Sequence, residues 1–316
     1  MNIWDNLPAP FFILAPMDDV TDTVFRRVIA ECAAPDLFFT EFVNVDALQS
    51  QGREATLKRL KFTEAERPII AQVWGLNLDN FRKSAADIAA MGYDGLDLNF
   101  GCPEKNVVKN GACSAMILPE NREHALEIIQ ACREGAPTLP LSVKTRLGFS
   151  EVDLSWHELL LQQKLNALTI HGRTRKQMSK VPADWNVIGQ IAAMRTSLSP
   201  ATKIIGNGDV LTRQQGEELA KHHGVDGIMV GRGIFQDPYL FASPSPWEAM
   251  AKEEKIALYA KHVKLFASTW KEGERKIHTL NKFCKIYING FDGAKELREK
   301  LMAAISTDEL LTLLQP

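Results

Sequence analysis

Leu96-Asp97-Leu98-Asn99-Phe100-Gly101-Cys102-Pro103 is the stretch from which the rest of the chain can be ordered. It opens as a short apolar strand over residues 95–99 and breaks at Gly101. Pro103 fixes its own φ and pushes the preceding residue away from helix, so Cys102 is held still at a strand end. A polar loop with Lys105, Lys109 and Asn110 follows before the chain turns apolar again at Ala112. A thiol fixed there, facing a loop, is a candidate for chemistry. The alternative is a small buried cysteine, since free cysteines are among the most buried residues.

The same design recurs on both sides of this stretch. Apolar, β-rich runs at 11–17, 37–43, 68–75, 95–101, 139–148, 167–173, 203–210 and 227–233 end in small or polar residues, and helical patterns follow them. Asn77 is placed to cap a helix whose apolar face includes Phe81, Ala85 and Ile88, with Gly92 at its C-terminal stop. Thr212 and Gln215 have capping-box spacing, and Gly224 follows the last turn. Strands alternating with helices imply parallel pairing with right-handed crossovers. Near-continuous apolar strands such as Ile228-Met229-Val230 suit a sheet covered on both faces. Eight such units predict an α/β fold, a (β/α)8 TIM barrel over residues 1–242; a doubly wound open sheet is the rival. Polar residues gather at nearly every strand's C-terminal end, where a barrel builds its site, and this favours the barrel.

After Phe241 the texture changes. Ser243-Pro244-Ser245-Pro246 reads as a linker, and residues 243–316 predict a small all-helical domain with breaks near Gly273, Gly290 and Gly293. Residues 246–316 hold 12 Lys+Arg against 10 Asp+Glu, although the whole chain carries a net charge of −2. His278, Lys282 and Lys285 fall on one helical stripe, either a contact for nucleic acid or a solvated face. Overall charge offers no global attraction to nucleic acid, so such a partner needs this kind of local patch. Five cysteines without a C-x-x-C pair argue against a zinc site or disulfide framework and for a reducing cytoplasm. No metal site is expected. No apolar run approaches the roughly 18 residues of a membrane span, and residues 1–10 lack the basic start of a secretory signal.

On a barrel the strand ends converge on one mouth, and the loops after the seventh and eighth strands are the fold's common phosphate site. Here they read Gly206-Asn207-Gly208-Asp209 and Gly231-Arg232-Gly233. Glycines let backbone N–H groups approach a phosphate, and Arg232 adds a charged donor. Lys144 and Arg146 share a face of the fifth strand, the sixth ends His171-Gly172-Arg173-Thr174, and the third contributes Gln72. Cations and amide donors at one rim suit an electron-rich ligand such as a reduced flavin ring. Taken singly, each is better read as a strand-end salt bridge; together on one rim they are not.

The set resembles the tRNA-dihydrouridine synthases, flavin enzymes that reduce specific uridines in tRNA. The resemblance rests on Ala15-Pro16-Met17 with Val20-Thr21-Asp22 and Phe25-Arg26, and on Asn99-Phe100-Gly101-Cys102-Pro103 with Val107, Gly111 and Ser114-Ala115. Lys144-Thr145-Arg146-Leu147-Gly148, His171-Gly172-Arg173-Thr174, Asn207-Gly208-Asp209 and Gly231-Arg232-Gly233 complete it, and the basic tail resembles that family's RNA-binding domain. The resemblance implies FMN in the barrel mouth, reduced by NADPH or NADH. Pro16 and Met17 would lie along the ring, and Gln72, Lys144 and His171 would bond the ring or ribityl chain. Asn207, Gly208, Asp209, Gly231 and Arg232 would surround the phosphate. Cys102 would be the proton donor with Asn99 beside it. Lys144, Arg146, His171 and Arg173 would border the uracil, and Lys282 and Lys285 would meet the tRNA. The chain departs from the family at Asp19 and Cys113, where glycine is usual. A flavin barrel acting on a small pyrimidine or enone, and a non-catalytic RNA-binding protein, are the competing expectations. The tail speaks against the first, and Cys102, Lys144 and His171 against the second. A cytoplasmic monomer is expected. Which uridine is modified is not legible in one sequence.

Overall fold

The computed structural model describes residues 2–271 and 273–315. Its strands are β1 (Phe11–Leu14), β2 (Leu37–Phe39), β3 (Val43–Asn44), β4 (Ile69–Trp74), β5 (Gly95–Phe100), β6 (Leu141–Arg146), β7 (Ala167–His171), β8 (Lys203–Asn207) and β9 (Gly227–Val230). All pairings are parallel, and β1 bonds both β2 and β9 while β2 bonds β4, so the sheet closes into an eight-stranded barrel. The open-sheet alternative is thereby excluded. The expected run at 37–43 divides at Thr40-Glu41-Phe42; only β2 belongs to the barrel wall, and the two-residue β3 extends the edge of β4. Several expected strands were too long at their C-terminal ends. Ala15, for example, still donates its N–H to Val230, but Pro16 has none to give.

Helical punctuation follows the side chains. Asn77 caps Leu78–Ala90 by accepting the Asn80 N–H, and Phe81, Ala85 and Ile88 are buried. Thr212 caps Arg213–His223, but Gln215 turns aside: its side chain accepts from Leu211 N–H instead of completing a capping box. Gly224 ends that helix at φ 67°, a left-handed position that favours glycine.

The barrel interior is apolar at its N-terminal end and polar at its mouth. Trp4, in a short turn before β1, plugs the floor against Phe11, and Ile13, Phe39, Ile70, Ala167, Ile205 and Met229 fill the middle. Above them the inward positions become Gln72, Asp97, Asn99, Ser142 and Thr169, all buried. The second core lies between the barrel wall and its helices.

From Trp247 onward every described element is helical. The long helix Lys252–Thr269 and the short helix Asn281–Tyr287 pack on the barrel helix Thr23–Ala33, with Phe25 stacked on Phe283 at 4.9 Å. One continuous hydrophobic core joins barrel and tail. Gly273, Gly290 and Gly293 all take positive φ between helices. The basic stripe is less regular than its spacing suggests, because His278 sits in a 3-10 turn and only Lys282 and Lys285 lie on the short helix.

A charged junction fastens the tail to the loops after β1 and β2. Glu41, fully buried, receives both Arg275 guanidinium nitrogens at 3.1 Å and Arg59 at 3.1 Å. Arg275 also lies 3.5 Å from Asp19 and from Asp22, and Lys282 donates to the Asp19 carbonyl at 2.7 Å. Truncating one partner of a buried charged pair strands the other. Arg275→Ala is therefore expected to lower the unfolding free energy by about 2 kcal/mol. A urea titration checks this as a lower midpoint; an unchanged midpoint would show that the junction adds nothing to stability.

Candidate active site

The register of three neighbouring strands builds the floor of the mouth. Gln72, Asp97 and Ser142 are paired across β4, β5 and β6, so all three point inward at one level. Ser142 donates to Asp97 at 2.6 Å, and Gln72 donates to its other oxygen at 2.7 Å. The Gln72 carbonyl oxygen then accepts from Asn99 at 3.0 Å. That fixes the Asn99 amide, whose oxygen accepts the N–H of Gly101 at 3.1 Å and of Cys102 at 2.9 Å. A carboxylate only accepts, so the direction of every later bond follows from Asp97. Burial, opposed by Ser142, Gln72 and the nearby Lys144 charge, raises the Asp97 carboxyl to about 6.

Cys102 is partly buried and faces a second thiol. Cys113, fully buried, sits in the short 3-10 turn Cys113–Ile117, and the next N–H, from Ser114, bonds the Cys102 carbonyl at 3.3 Å. A hydrogen bond from Cys113 to its sulfur lowers Cys102 to about 7, against the effect of burial; Arg146 contributes further. The Cys113 thiol is pushed well up by the same contact and by burial.

Beside this floor lies a cleft of about 680 Å³, within the range of small-ligand sites. Pro16, Met17, Lys144, Arg146, His171, Arg173, Asn207, Gly208, Asp209, Gly231 and Arg232 all line it. Lys144 donates to Asn207 at 3.1 Å, and Asn207 is held in turn by donating to the Met229 carbonyl at 2.7 Å. Burial and the Arg146 charge lower Lys144 to about 8. Burial together with Lys144, Arg146, Arg173 and Arg232 drives His171 far below its usual value, so it is neutral. Arg173 pairs with Asp209, and Arg232 lies 3.9 Å from the same carboxylate. At Gly208, φ is 137° and a Cβ would stand 2.6 Å from Ala183, so no side chain fits there.

Eleven of the expected site residues thus share one cleft. Gln72, Asn99 and Cys102 do not line it but adjoin it: Asn99 pairs in register with Lys144, and Arg146 grips the Gly101 carbonyl at 2.7 Å. Lys282 and Lys285 stand apart, exposed on the tail, although the Lys282 bond to Asp19 brings that helix to the loop after Met17. Arg146 and Arg173 use much of their donor capacity on the carbonyls of Gly101, Thr174, Met178 and Val181. The sequence reading missed Asp97, Ser142, Glu41 and Arg275. Asp97 was within reach, standing two residues before Asn99 on the same face; the others become visible only once distant strands and the tail meet.

The donor set fits a flavin mononucleotide. Cations and an amide suit an electron-rich ring, and a turn at Gly208 with no room for a side chain, with Arg232 in the same cleft, suits a phosphate. Level with Lys144 on the neighbouring strand, the buried Thr169 hydroxyl lacks a protein partner among the described residues.

The dihydrouridine synthase (Dus) family model matches residues 13–315. A probable tRNA-dihydrouridine synthase 2 of Bacillus subtilis is 47% identical over 317 residues, covering 99% of this chain and 95% of the relative. A probable tRNA-dihydrouridine synthase of Staphylococcus epidermidis is 46% identical over 316 residues, with 99% and 95% covered. Among solved structures, morphinone reductase aligns at TM-score 0.55 with 14% identity, over 79% of this chain and 88% of its own. Histamine dehydrogenase from Rhizobium aligns at 0.58 with 12% identity, over 84% and 51%. These two share the fold. The match along almost the whole length, on a barrel with this mouth, makes the chain a member of the dihydrouridine synthase family.

Proposed function

We propose that this chain reduces uridine in tRNA to 5,6-dihydrouridine, with FMN in the cleft and NADPH or NADH as reductant. The observation that carries the reading is the thiol of Cys102, fixed by Asn99 at the edge of a cationic cleft within a dihydrouridine synthase sequence. Pro16 and Met17 would flank the flavin ring, with Gln72, Lys144 and His171 bonding its polar edge or ribityl chain. Asn207, Gly208, Asp209, Gly231 and Arg232 would hold the phosphate. When bound, FMN supplies a hydride to C6 of the uracil.

The chain's own part is to seat the base and manage its charge. Addition at C6 leaves electron density on C5 and the carbonyl oxygen, and Lys144, Arg146 and Arg173 stabilise that oxygen. The Cys102 thiol gives its proton to C5 and is left as thiolate. Neutral His171 adds no further positive charge. A base stacked in folded RNA must be extruded to reach the mouth. Lys282 and Lys285 meet tRNA phosphates while it does so. A tRNA substrate would place the protein in the cytoplasm.

Cys102→Ala is expected to keep FMN and lose most uridine reduction, by about 100-fold or more; unchanged turnover would remove Cys102 as the acid. Only the thiol form donates a proton, so the rate should fall as pH rises through about 7. Cys113→Gly suits the left-handed backbone at φ 53° and removes the thiol that bonds the Cys102 sulfur. The falling limb of the pH–rate profile should then move to higher pH, and an unmoved limb would exclude that contact as its cause. Lys285→Glu should weaken tRNA binding and flatten its salt dependence by about one phosphate contact. If binding and slope are untouched, the stripe is a solvated face.

A further inference from the structure

Most of the exposed large apolar residues follow the C-terminal ends of barrel strands. Seven large apolar side chains are exposed among the described residues, and five of them (Val152, Leu154, Met178, Val181 and Leu211) follow the consecutive strands β6, β7 and β8. Met302 and Ile305, the other two, belong to the tail. Single exposed apolar residues are ordinary; five on the loops after three adjacent barrel strands, with Leu211 lining the cleft itself, call for a reason.

Hydrogen bonds join the three loops into one shelf. Arg175 and Lys176 donate their N–H groups to Gly148 and Phe149, each at 2.9 Å, which joins the loops after β6 and β7. Asp209 accepts the Ala183 N–H at 2.8 Å, and Trp185 donates to the Gly208 carbonyl at 3.0 Å, which joins those after β7 and β8. From beneath, Arg146 holds the Met178 carbonyl at 3.2 Å and Arg173 holds that of Val181. Met178 has a φ of 55°, a conformation uncommon for residues other than glycine, and its side chain is 39% exposed. Non-glycine residues are held this way where the surroundings dictate it, often at functional sites.

We propose that this shelf receives the nucleotides flanking the target uridine, with Met178 and Val181 filling the gap left in the base stack when the uracil is extruded. The inference rests on the reading of the cleft as a tRNA uridine site. Arg175, Lys176 and Lys180 flank Met178 and Val181 along the loop and Arg232 lines the adjoining cleft, and interleaved cations and apolar groups match phosphates and base faces. The core of a protein–protein interface is instead depleted of charged residues. Extrusion costs a few kcal/mol, and apolar side chains, Met among them, are known to wedge between base steps in nucleic-acid complexes.

The test uses the full-length protein and an unmodified tRNA transcript, with affinity measured across a salt series. Met178→Asn combined with Val181→Thr removes apolar surface while respecting the backbone, since Asn tolerates the left-handed region and Thr has the shape of Val. Affinity is expected to fall about tenfold with the slope of log K against log salt unchanged, because no phosphate contact is lost. Met178→Leu should bind as the parent does, and Met302→Asn should change nothing. Binding by the double variant within twofold of the parent overturns the proposal, as does a flattened slope or an equal loss in Met178→Leu. Should the parent form no dihydrouridine in that transcript, the reading of the cleft fails, and this inference with it.

Discussion

The bond from the Cys102 N–H to the side-chain oxygen of Asn99 is the contact on which the mouth turns. It works only if the Asn99 amide is oriented, and that orientation descends from Gln72, then Asp97, then Ser142. A one-residue slip of register between β4, β5 and β6 would face these side chains into the helical layer and leave buried polar groups unpaired. The barrel manages a charged mouth by building it on an apolar base, where Trp4 and the inward residues of β1 and β2 exclude water. Partly satisfied polar networks are costly in such surroundings; this one has each member bonded to the next.

Much of the fold was legible because parallel strands buried on both faces are written as short apolar runs, and their helices carry side-chain caps such as Asn77 and Thr212. Nearly all of the cleft was legible too, since a barrel gathers the C-terminal ends of its strands whatever their separation along the chain. What escaped depended on contacts that sequence spacing does not encode. Glu41 and Arg275 are 234 positions apart. Trp4 precedes the first strand and looks like an ordinary terminal residue. The stripe from His278 to Lys285 has helical spacing but is interrupted by a 3-10 turn, and Lys282 serves a contact between tail and barrel that its charge alone does not reveal.

The two positions that set this chain apart from the resemblance share a backbone conformation. Asp19 and Cys113, where the resemblance implied glycine, both take left-handed backbone, at φ 56° and 53°. The turns are kept, and each added side chain has found a role in its neighbourhood. Asp19 joins the charged junction with Arg59 and Arg275. Cys113 hydrogen-bonds the Cys102 sulfur, so the acidity of that thiol depends on a residue eleven positions further along.

The single hydrophobic core that runs from Phe25 and Val28 into Phe283, Ile286 and Tyr287 bears on how the chain can be divided. The Ser243-Pro244-Ser245-Pro246 segment looks like a natural place to cut. A fragment ending there would present the outer face of helix Thr23–Ala33 bare to water, a greasy surface that favours self-association over a free catalytic module. Barrel and tail share one core across the Ser243–Pro246 segment, so a cut there would divide a continuous apolar interior.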